Sequence, residues 1–162
     1  MDALLEKLYA DHREALGWLA DLAAAGDDLA ADGPTAAVWA ALADGARHLD
    51  EDLSTHFDTE EQALFPVLGR VLGTDGGPVA VMLAEHQEFR RLRDQYRQHL
   101  GAVAGPGAAE ATAATRRAAA DLAALLHEHI AKEDRILFPL AQELLTPADW
   151  DEVRRLAATL PG

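Results

Sequence analysis

One pattern of eleven residues occurs twice in this 162-residue chain, and it constrains the fold more than any other feature. Residues 56–66 read HFDTEEQALFP and residues 129–139 read HIAKEDRILFP, so both copies follow His-apolar-x-x-Glu-acid-x-x-Leu-Phe-Pro. A shorter match lies upstream of each copy, ADHRE at 10–14 and AEHQE at 84–88. Each half of the chain therefore contains a lone histidine and, 44 or 43 residues later, a His-x-x-x-Glu pair.

The spacing within each pair predicts a metal site. Residues four positions apart lie one above the other on the same face of an α-helix, so the histidine and glutamate of a pair can reach one interior point. The lone histidines lie on apolar faces of two further helices. Two carboxylates from opposite helices could then bridge two metal ions, with two imidazoles on each ion. The predicted ligands are His12, His56, Glu60, His86, His129 and Glu133.

The same residues would be unfavourable to bury without a metal, because buried charges need partners. The chain contains no cysteine, which excludes disulfides, iron–sulfur clusters and thiolate zinc sites. Nitrogen and oxygen ligands without thiolate suit Fe, Mn, Zn or Cu.

The composition of the chain and the positions of its glycine and proline residues predict an all-α fold. The chain is rich in alanine and leucine and has few β-branched or aromatic residues, which favours helix over strand. Glycine and proline divide it into four long helices and one short helix. A turn at 26–33 separates the first two helices. The predicted helices span 2–25, 34–72, 78–103, 108–145 and 147–160.

Short connections favour antiparallel neighbours, so we expect an up-down-up-down four-helix bundle with the fifth helix as a lid over one end. The expected organisation is a single domain, 1–162, with pseudo-two-fold halves at about 1–73 and 74–146. Pro66 and Pro139 lie inside helical patterns, and each should kink or end its helix near the preceding phenylalanine.

The charge balance limits the possible partners. The chain has 14 basic and 28 acidic residues and a formal net charge of −14. This argues against DNA, RNA and anionic membrane surfaces, all of which attract clustered lysine and arginine. The N-terminus lacks the features of a signal peptide, and no apolar run approaches the length of a transmembrane helix. We therefore expect a soluble cytoplasmic protein.

The lone histidines, the two His-x-x-x-Glu pairs and the Leu-Phe-Pro segments resemble the hemerythrin-like (HHE cation-binding) domain family over nearly the whole chain. The resemblance implies the four-helix hemerythrin bundle and a non-haem di-iron centre, oxo- or hydroxo-bridged, rather than zinc or manganese. Family activities include O₂ binding, iron or oxygen sensing, NO and peroxide chemistry, and iron handling. In this arrangement His12 and His56 hold one iron, His86 and His129 hold the other, and the two glutamates bridge them.

One position departs from the oxygen-carrier hemerythrins. Those proteins have a second histidine one turn after the ligand of the third helix, and Arg90 stands there in this chain. Arginine ligates poorly because it stays protonated. The carriers also use an aspartate five residues after the last histidine, a spacing that Asp134 fits, while Glu133 fits the wider family. A simple O₂ carrier is therefore disfavoured.

The remaining candidates carry alternative interpretations. Tyr9 could face the site or pack in the core, and Asp52 could orient His56 from one turn away or be an exposed acid. Arg90 could pair with a nearby carboxylate, and Asp134 and Glu61 could be ligands or solvated acids. The other three histidines are expected at the surface, at His48, His99 and His127.

The predicted function is a non-haem di-iron protein that acts on or senses O₂, H₂O₂ or NO. If it is an enzyme, it is an oxidoreductase with peroxide-removing or oxidase chemistry. Non-catalytic iron storage or sensing and O₂ binding remain open alternatives, as does a metal-free or zinc-bound interaction bundle.

Overall fold

The fold is a helical bundle, which confirms the all-α prediction. The computed structural model describes residues 1–161, and no strand occurs among them. Eight α-helices and two π-helical turns follow one another along these residues. They are α1 (Ala3–Asp32), α2 (Ala36–Asp50), α3 (Asp52–Thr59), π1 (Glu60–Leu64), α4 (Phe65–Leu72), α5 (Pro78–Ala102), α6 (Ala108–Lys132), π2 (Glu133–Leu137), α7 (Phe138–Leu144) and α8 (Pro147–Ala157).

Four long units form the bundle: α1, the run α2–α3–π1–α4, α5, and the run α6–π2–α7. The connections between them are short, at 33–35, 73–77 and 103–107, as antiparallel neighbours require. Helix α6 packs against both α1 and α5, and α1 packs against α2. Among residues 1–161, no helix is long and apolar enough to cross a membrane.

The buried apolar side chains form two clusters with a polar layer between them. One cluster contains Leu22, Phe57 and Leu122, and the other contains Leu8 and Phe138. Along each long unit, the predicted ligands lie between members of the two clusters. The helices therefore pack through apolar contacts on both sides of the histidines and glutamates, which holds this polar layer in the interior.

Each internal proline is accommodated by a π-helical turn rather than by an end to the helical run. A proline has no N–H to continue the α-helical ladder. In π1 the N–H of Phe65 donates to the carbonyl of Glu60, and in π2 the N–H of Phe138 donates to the carbonyl of Glu133. The α-helical geometry is thus interrupted on the N-terminal side of each proline. Each predicted glutamate ligand is the first residue of such a turn.

The first helix is longer than predicted. Helix α1 continues through Gly26 and ends at Asp32, where Gly33 adopts φ 74°. Gly26 does not stop the helix because it is a packing position: a Cβ atom there would lie 3.3 Å from Cα of Arg116 in α6. The glycine allows α1 and α6 to approach closely, and Gly33 supplies the left-handed φ that ends the helix.

The C-terminal helix packs against one apolar cluster. Val153 and Trp150 of α8 are buried with Leu5 and Leu8 of α1, and α8 contacts π1 and α4. Thr146 and the side chain of Asp149 form a capping box at its start. Helix α8 thus covers the end of the bundle where α1 begins, as expected of a lid.

Candidate metal centre

The structure brings all six predicted ligands together in the polar layer. All are buried, and both glutamates are fully excluded from solvent. Their ligating atoms form two groups of four in which all atoms lie within 4.8 Å of one another. Both groups contain Glu60 and Glu133. One group adds His12 and His56, and the other adds His86 and His129.

The imidazoles face the carboxylates through Nε2 at closely similar distances. Oε2 of Glu133 lies 3.2 Å from Nε2 of both His12 and His129. Glu60 lies 3.3 Å from Nε2 of His56 through Oε1 and 3.4 Å from Nε2 of His86 through Oε2. Each carboxylate therefore reaches one histidine of each group, the arrangement needed to bridge two ions.

The chemistry of this donor set fits a pair of metal ions. All four carboxylate oxygens of Glu60 and Glu133 are buried without a conventional hydrogen-bond partner. The Nε2 atoms of His12 and His56 lie 3.0 Å apart, and those of His86 and His129 lie 3.1 Å apart. Such convergence of lone pairs and negative charge is unfavourable without a cation, and nitrogen–oxygen sets of this kind suit iron.

Protons take up part of this charge in the metal-free protein. Burial lowers the pKa of His56, but the negative charge of Glu60, 3.3 Å away, and the hydrogen bond to Asp11 outweigh burial and raise that pKa to about 10. Burial raises the pKa of Glu60, but His56 and His86 outweigh it and lower that pKa below its ordinary value. A metal ion must displace these protons, so metal binding should release them.

A second ring of acids, here called the outer carboxylates, contacts the Nδ1 atoms of the four ligand histidines. Each Nδ1–H donates to one of them, which turns Nε2 towards the interior and makes the imidazole a stronger ligand. The four pairs are His12 with Asp134 at 2.6 Å, His56 with Asp11 at 3.4 Å, His86 with Glu61 at 2.7 Å, and His129 with Glu85 at 2.9 Å.

The outer carboxylates follow the internal repeat, a signal that sequence reasoning did not use. Asp11 and Glu85 each precede a lone histidine, and Glu61 and Asp134 each follow a motif glutamate. The first two acids serve the motif histidine of their own half. The last two cross to the lone histidine of the other half, over separations of 25 and 122 residues. A residue that is adjacent to one ligand in the sequence therefore contacts a different ligand in the folded structure.

The structure also tests the predictions for Asp52 and Asp134. Asp52 is not the partner of His56, since it accepts from Nδ1 of His48 at 2.5 Å on the exposed face of α2 and α3. The partner is Asp11, which reaches His56 from α1. Asp134 lies outside the two groups of ligating atoms and contacts the outer nitrogen of His12.

Arg90 and Tyr9 both lie at the edge of the centre. Nη2 of Arg90 is 2.9 Å from Oε1 of Glu61, so Arg90 pairs with a carboxylate, and its guanidinium lies 5.9 Å from the ring of Phe57. The hydroxyl of Tyr9 donates to the backbone carbonyl of Asp134, and its ring packs edge-on against Phe138. Neither side chain belongs to the two ligand groups.

Aromatic rings cover the histidines on the remaining sides. Phe57 stacks on His86 with ring centroids 3.7 Å apart, and Phe138 stacks on His12 at 5.2 Å. Phe65 lies 5.8 Å from His86. The phenylalanines of the repeated motif therefore exclude water from the polar layer as well as packing the bundle.

A cleft of ≈ 660 Å³ borders the centre on one side. It lies between α1 and the α2–α3 region, and His12 and His56 form part of its wall.

The three histidines predicted at the surface differ in their exposure. His127 is exposed, whereas His99 is half-buried and His48 stacks on Trp18 beside this cleft.

Sequence comparison matches this site and fold to one family. The family described as "Hemerythrin HHE cation binding domain" matches residues 3–141, which include all six converging ligands. The chain belongs to the hemerythrin HHE cation-binding family. Cation binding by the family and the buried histidine–glutamate cluster together identify this polar layer as a metal-binding site suited to iron.

Named relatives of this hemerythrin-like chain include the iron-sulfur cluster repair protein YtfE of Escherichia coli O157:H7 and that of Escherichia fergusonii. Both are 33% identical to it over 143 residues, which are 87% of this chain. The matched region is 64% of each relative's length, so the chain spans less than two thirds of these relatives.

The outer carboxylates lead to a paired prediction. Asp11→Asn should weaken metal binding by about 10- to 100-fold, because it removes the charge behind His56 that strengthens this ligand. Asp52→Asn is the matched control, since the ion-pair partners of Asp52 among residues 1–161 are His48 and Arg47, which do not belong to the ligand groups. Competition against a chelator measures both affinities. Equal losses in the two variants would show that the Asp11–His56 contact does not support the site.

Proposed function

We propose that this protein holds a pair of non-haem iron ions and acts in the recovery of iron–sulfur clusters from damage by nitric oxide or oxidants. Four histidines and two glutamates would hold the pair. His12 and His56 would bind one ion, His86 and His129 the other, and Glu60 and Glu133 both. The observation that carries the proposal is the convergence of these six buried side chains with four carboxylate oxygens free of conventional hydrogen bonds.

When bound, a pair of iron ions supplies one-electron chemistry and positions at which small ligands can bind. The protein's residues determine what can reach it. The ligating side chains are almost fully buried, and phenylalanine rings lie against His12 and His86. This supports small molecules such as NO, O₂ and H₂O₂ as reactants and argues against large substrates at the iron itself.

The outer carboxylates keep the histidine rings oriented towards the metal site. Each accepts the Nδ1–H of one histidine, which fixes the tautomer that presents Nε2 to the metal. The cluster-repair role comes from the relatives' printed name, and those proteins are longer than this chain. The family match and the histidine-rich centre support extending that role to this protein.

A cluster-repair assay tests the proposal. A [4Fe–4S] dehydratase inactivated by NO or peroxide is incubated anaerobically with the iron-loaded protein, with its Glu133→Gln variant, or with the same concentration of free ferrous iron. We expect the loaded protein to restore dehydratase activity severalfold faster than free iron, and the variant to lose this advantage. Glu128→Gln, a change at an exposed residue of the same α6–π2–α7 run, is the control. Recovery no faster than with free iron would contradict the proposal.

Peroxide removal is a second candidate, favoured by Arg90. This residue stands where oxygen carriers have a further histidine, and it pairs with Glu61 instead of joining the ligand groups. A centre with fewer protein ligands is better suited to turnover than to reversible carriage. We expect the loaded protein to release O₂ from H₂O₂ over many cycles. An O₂ electrode measures this, and a single stoichiometric reaction would eliminate the candidate.

Metal analysis separates both functions from the remaining alternatives. A non-catalytic iron store or sensor would load iron without cluster repair or peroxide turnover. A zinc-bound or metal-free interaction bundle would contain less than about one iron per chain after growth in iron-replete medium. We expect close to two iron ions per chain, one for each ligand group.

A further inference from the structure

We propose that the two metal positions have unequal affinities, and that the first ion binds between His12 and His56. The inference rests on the metal pair proposed above, because it ranks the two positions of that pair. The histidines and shared glutamates are closely alike in geometry at both positions, with Nε2–carboxylate distances of 3.2 to 3.4 Å. The asymmetry lies one layer further out, in the charges beside the outer carboxylates.

Three of the four outer carboxylates contact a basic side chain. These ion pairs are Asp11 with Lys7 at 2.7 Å, Glu61 with Arg90 at 2.9 Å, and Glu85 with Lys132. The fourth carboxylate, Asp134, is different. Among residues 1–161 its only ion-pair partner is His12 itself.

This pattern divides the two positions by charge. Both histidines of one position, His86 and His129, are supported by neutralised carboxylates. At the other position only the carboxylate behind His56 is neutralised, and the one behind His12 keeps its charge. The outer ring therefore contributes one more negative charge on the side of His12 and His56.

That charge acts on the metal in two ways. A carboxylate that accepts from Nδ1–H increases the electron density on the imidazole, and a cation beside the carboxylate withdraws it. The charge also attracts a divalent ion directly, and partly buried charges at such short range are screened little by salt. Asp134 is 32% exposed, so its carboxylate is neither fully solvated nor fully buried. Both effects favour the first ion at His12 and His56.

The order of filling can be read with Zn²⁺, which is diamagnetic and accepts the same ligands. The full chain, with ¹⁵N-labelled histidine, is titrated with Zn²⁺ while the imidazole resonances are followed by NMR. We expect His12 and His56 to respond over the first equivalent and His86 and His129 over the second. The two affinities, from chelator competition, should differ by about tenfold or more.

Matched charge removals make the test specific. Lys132→Gln and Arg90→Gln each remove the cation beside an outer carboxylate on the His86–His129 side. Both variants should bind the second ion more tightly, which narrows the difference between the two metal affinities. Lys7→Gln makes the same chemical change on the other side and should widen that difference. Arg91, which pairs with Glu88 on the surface, provides the control for net charge, and Arg91→Gln should leave the difference unchanged.

The counterpart is Asp134→Asn, which keeps an acceptor for Nδ1 of His12 but removes the charge. It should weaken the first ion by about 10- to 100-fold and bring the two affinities together. Simultaneous filling, filling in the reverse order, or equal shifts in the Lys7→Gln and Lys132→Gln variants would overturn the inference while leaving the metal pair intact. Binding of fewer than two ions would overturn the metal pair and the inference together.

Discussion

Glu133→Gln should reduce the iron content from about two ions per chain to one or fewer. Glu133 belongs to both ligand groups, and its Oε2 lies 3.2 Å from a histidine of each. A neutral amide is a poor ligand for iron, so both positions lose a donor. In the metal-free protein the same change removes the negative partner of the imidazoles of His12 and His129. Removing one partner of a buried pair is destabilising, so the metal-free variant should also lose stability.

Iron content, and not stability alone, distinguishes a metal ligand from a packing residue. Iron per chain is measured after anaerobic loading, and the unfolding midpoint of the metal-free protein is measured by calorimetry to show that the variant is folded under the loading conditions. Glu128→Gln in the same α6–π2–α7 run should retain full iron content, because Glu128 is exposed. A Glu133→Gln protein that still holds two ions would remove the bridging role of this residue.

Removing the metal should lower the unfolding midpoint by roughly 10 °C. A ligand that binds only the folded protein stabilises it by about 4 kcal/mol when its free concentration is a thousand times its dissociation constant. For a domain of this size, each kcal/mol corresponds to about 2–4 °C. The structural cause is the polar layer, where four imidazoles and two carboxylates are enclosed between apolar clusters and have their best partner in a cation.

The measurement is differential scanning calorimetry of the iron-loaded protein before and after a strong chelator. The Glu133→Gln variant serves as the control. Because it binds little metal, the chelator should hardly change its unfolding midpoint. An unchanged midpoint in the unaltered protein would mean that metal binding is not coupled to folding.

Local patterns predicted the fold class and the six converging residues. The four-residue spacing of His56 and Glu60 places both on one helix face, whatever the helix packs against. Its repetition at His129 and Glu133 indicated two such faces. The family match and the helical fold confirm the family and the architecture.

Predictions failed where they depended on contact between helices. The sequence places Gly26 in a turn, yet it lies inside α1, where α6 approaches it closely at Arg116. For Asp52 the sequence allows a partner of His56 from one turn away or an exposed acid, and Asp52 is exposed. The structure places Asp11 of another helix beside that ring instead, and Asp52 beside His48.

The sequence by itself determined that the chain is helical and which six side chains share an interior layer, because helical periodicity is a local property. Only the tertiary structure decided which acid supports which histidine and which acids are neutralised by lysine or arginine. Asp134 meets His12 across 122 residues, and Glu61 meets both His86 and Arg90. These contacts depend on how neighbouring helices are rotated and offset relative to one another. That arrangement is set by close packing between helices, such as the contact at Gly26, and no single segment of the chain encodes it.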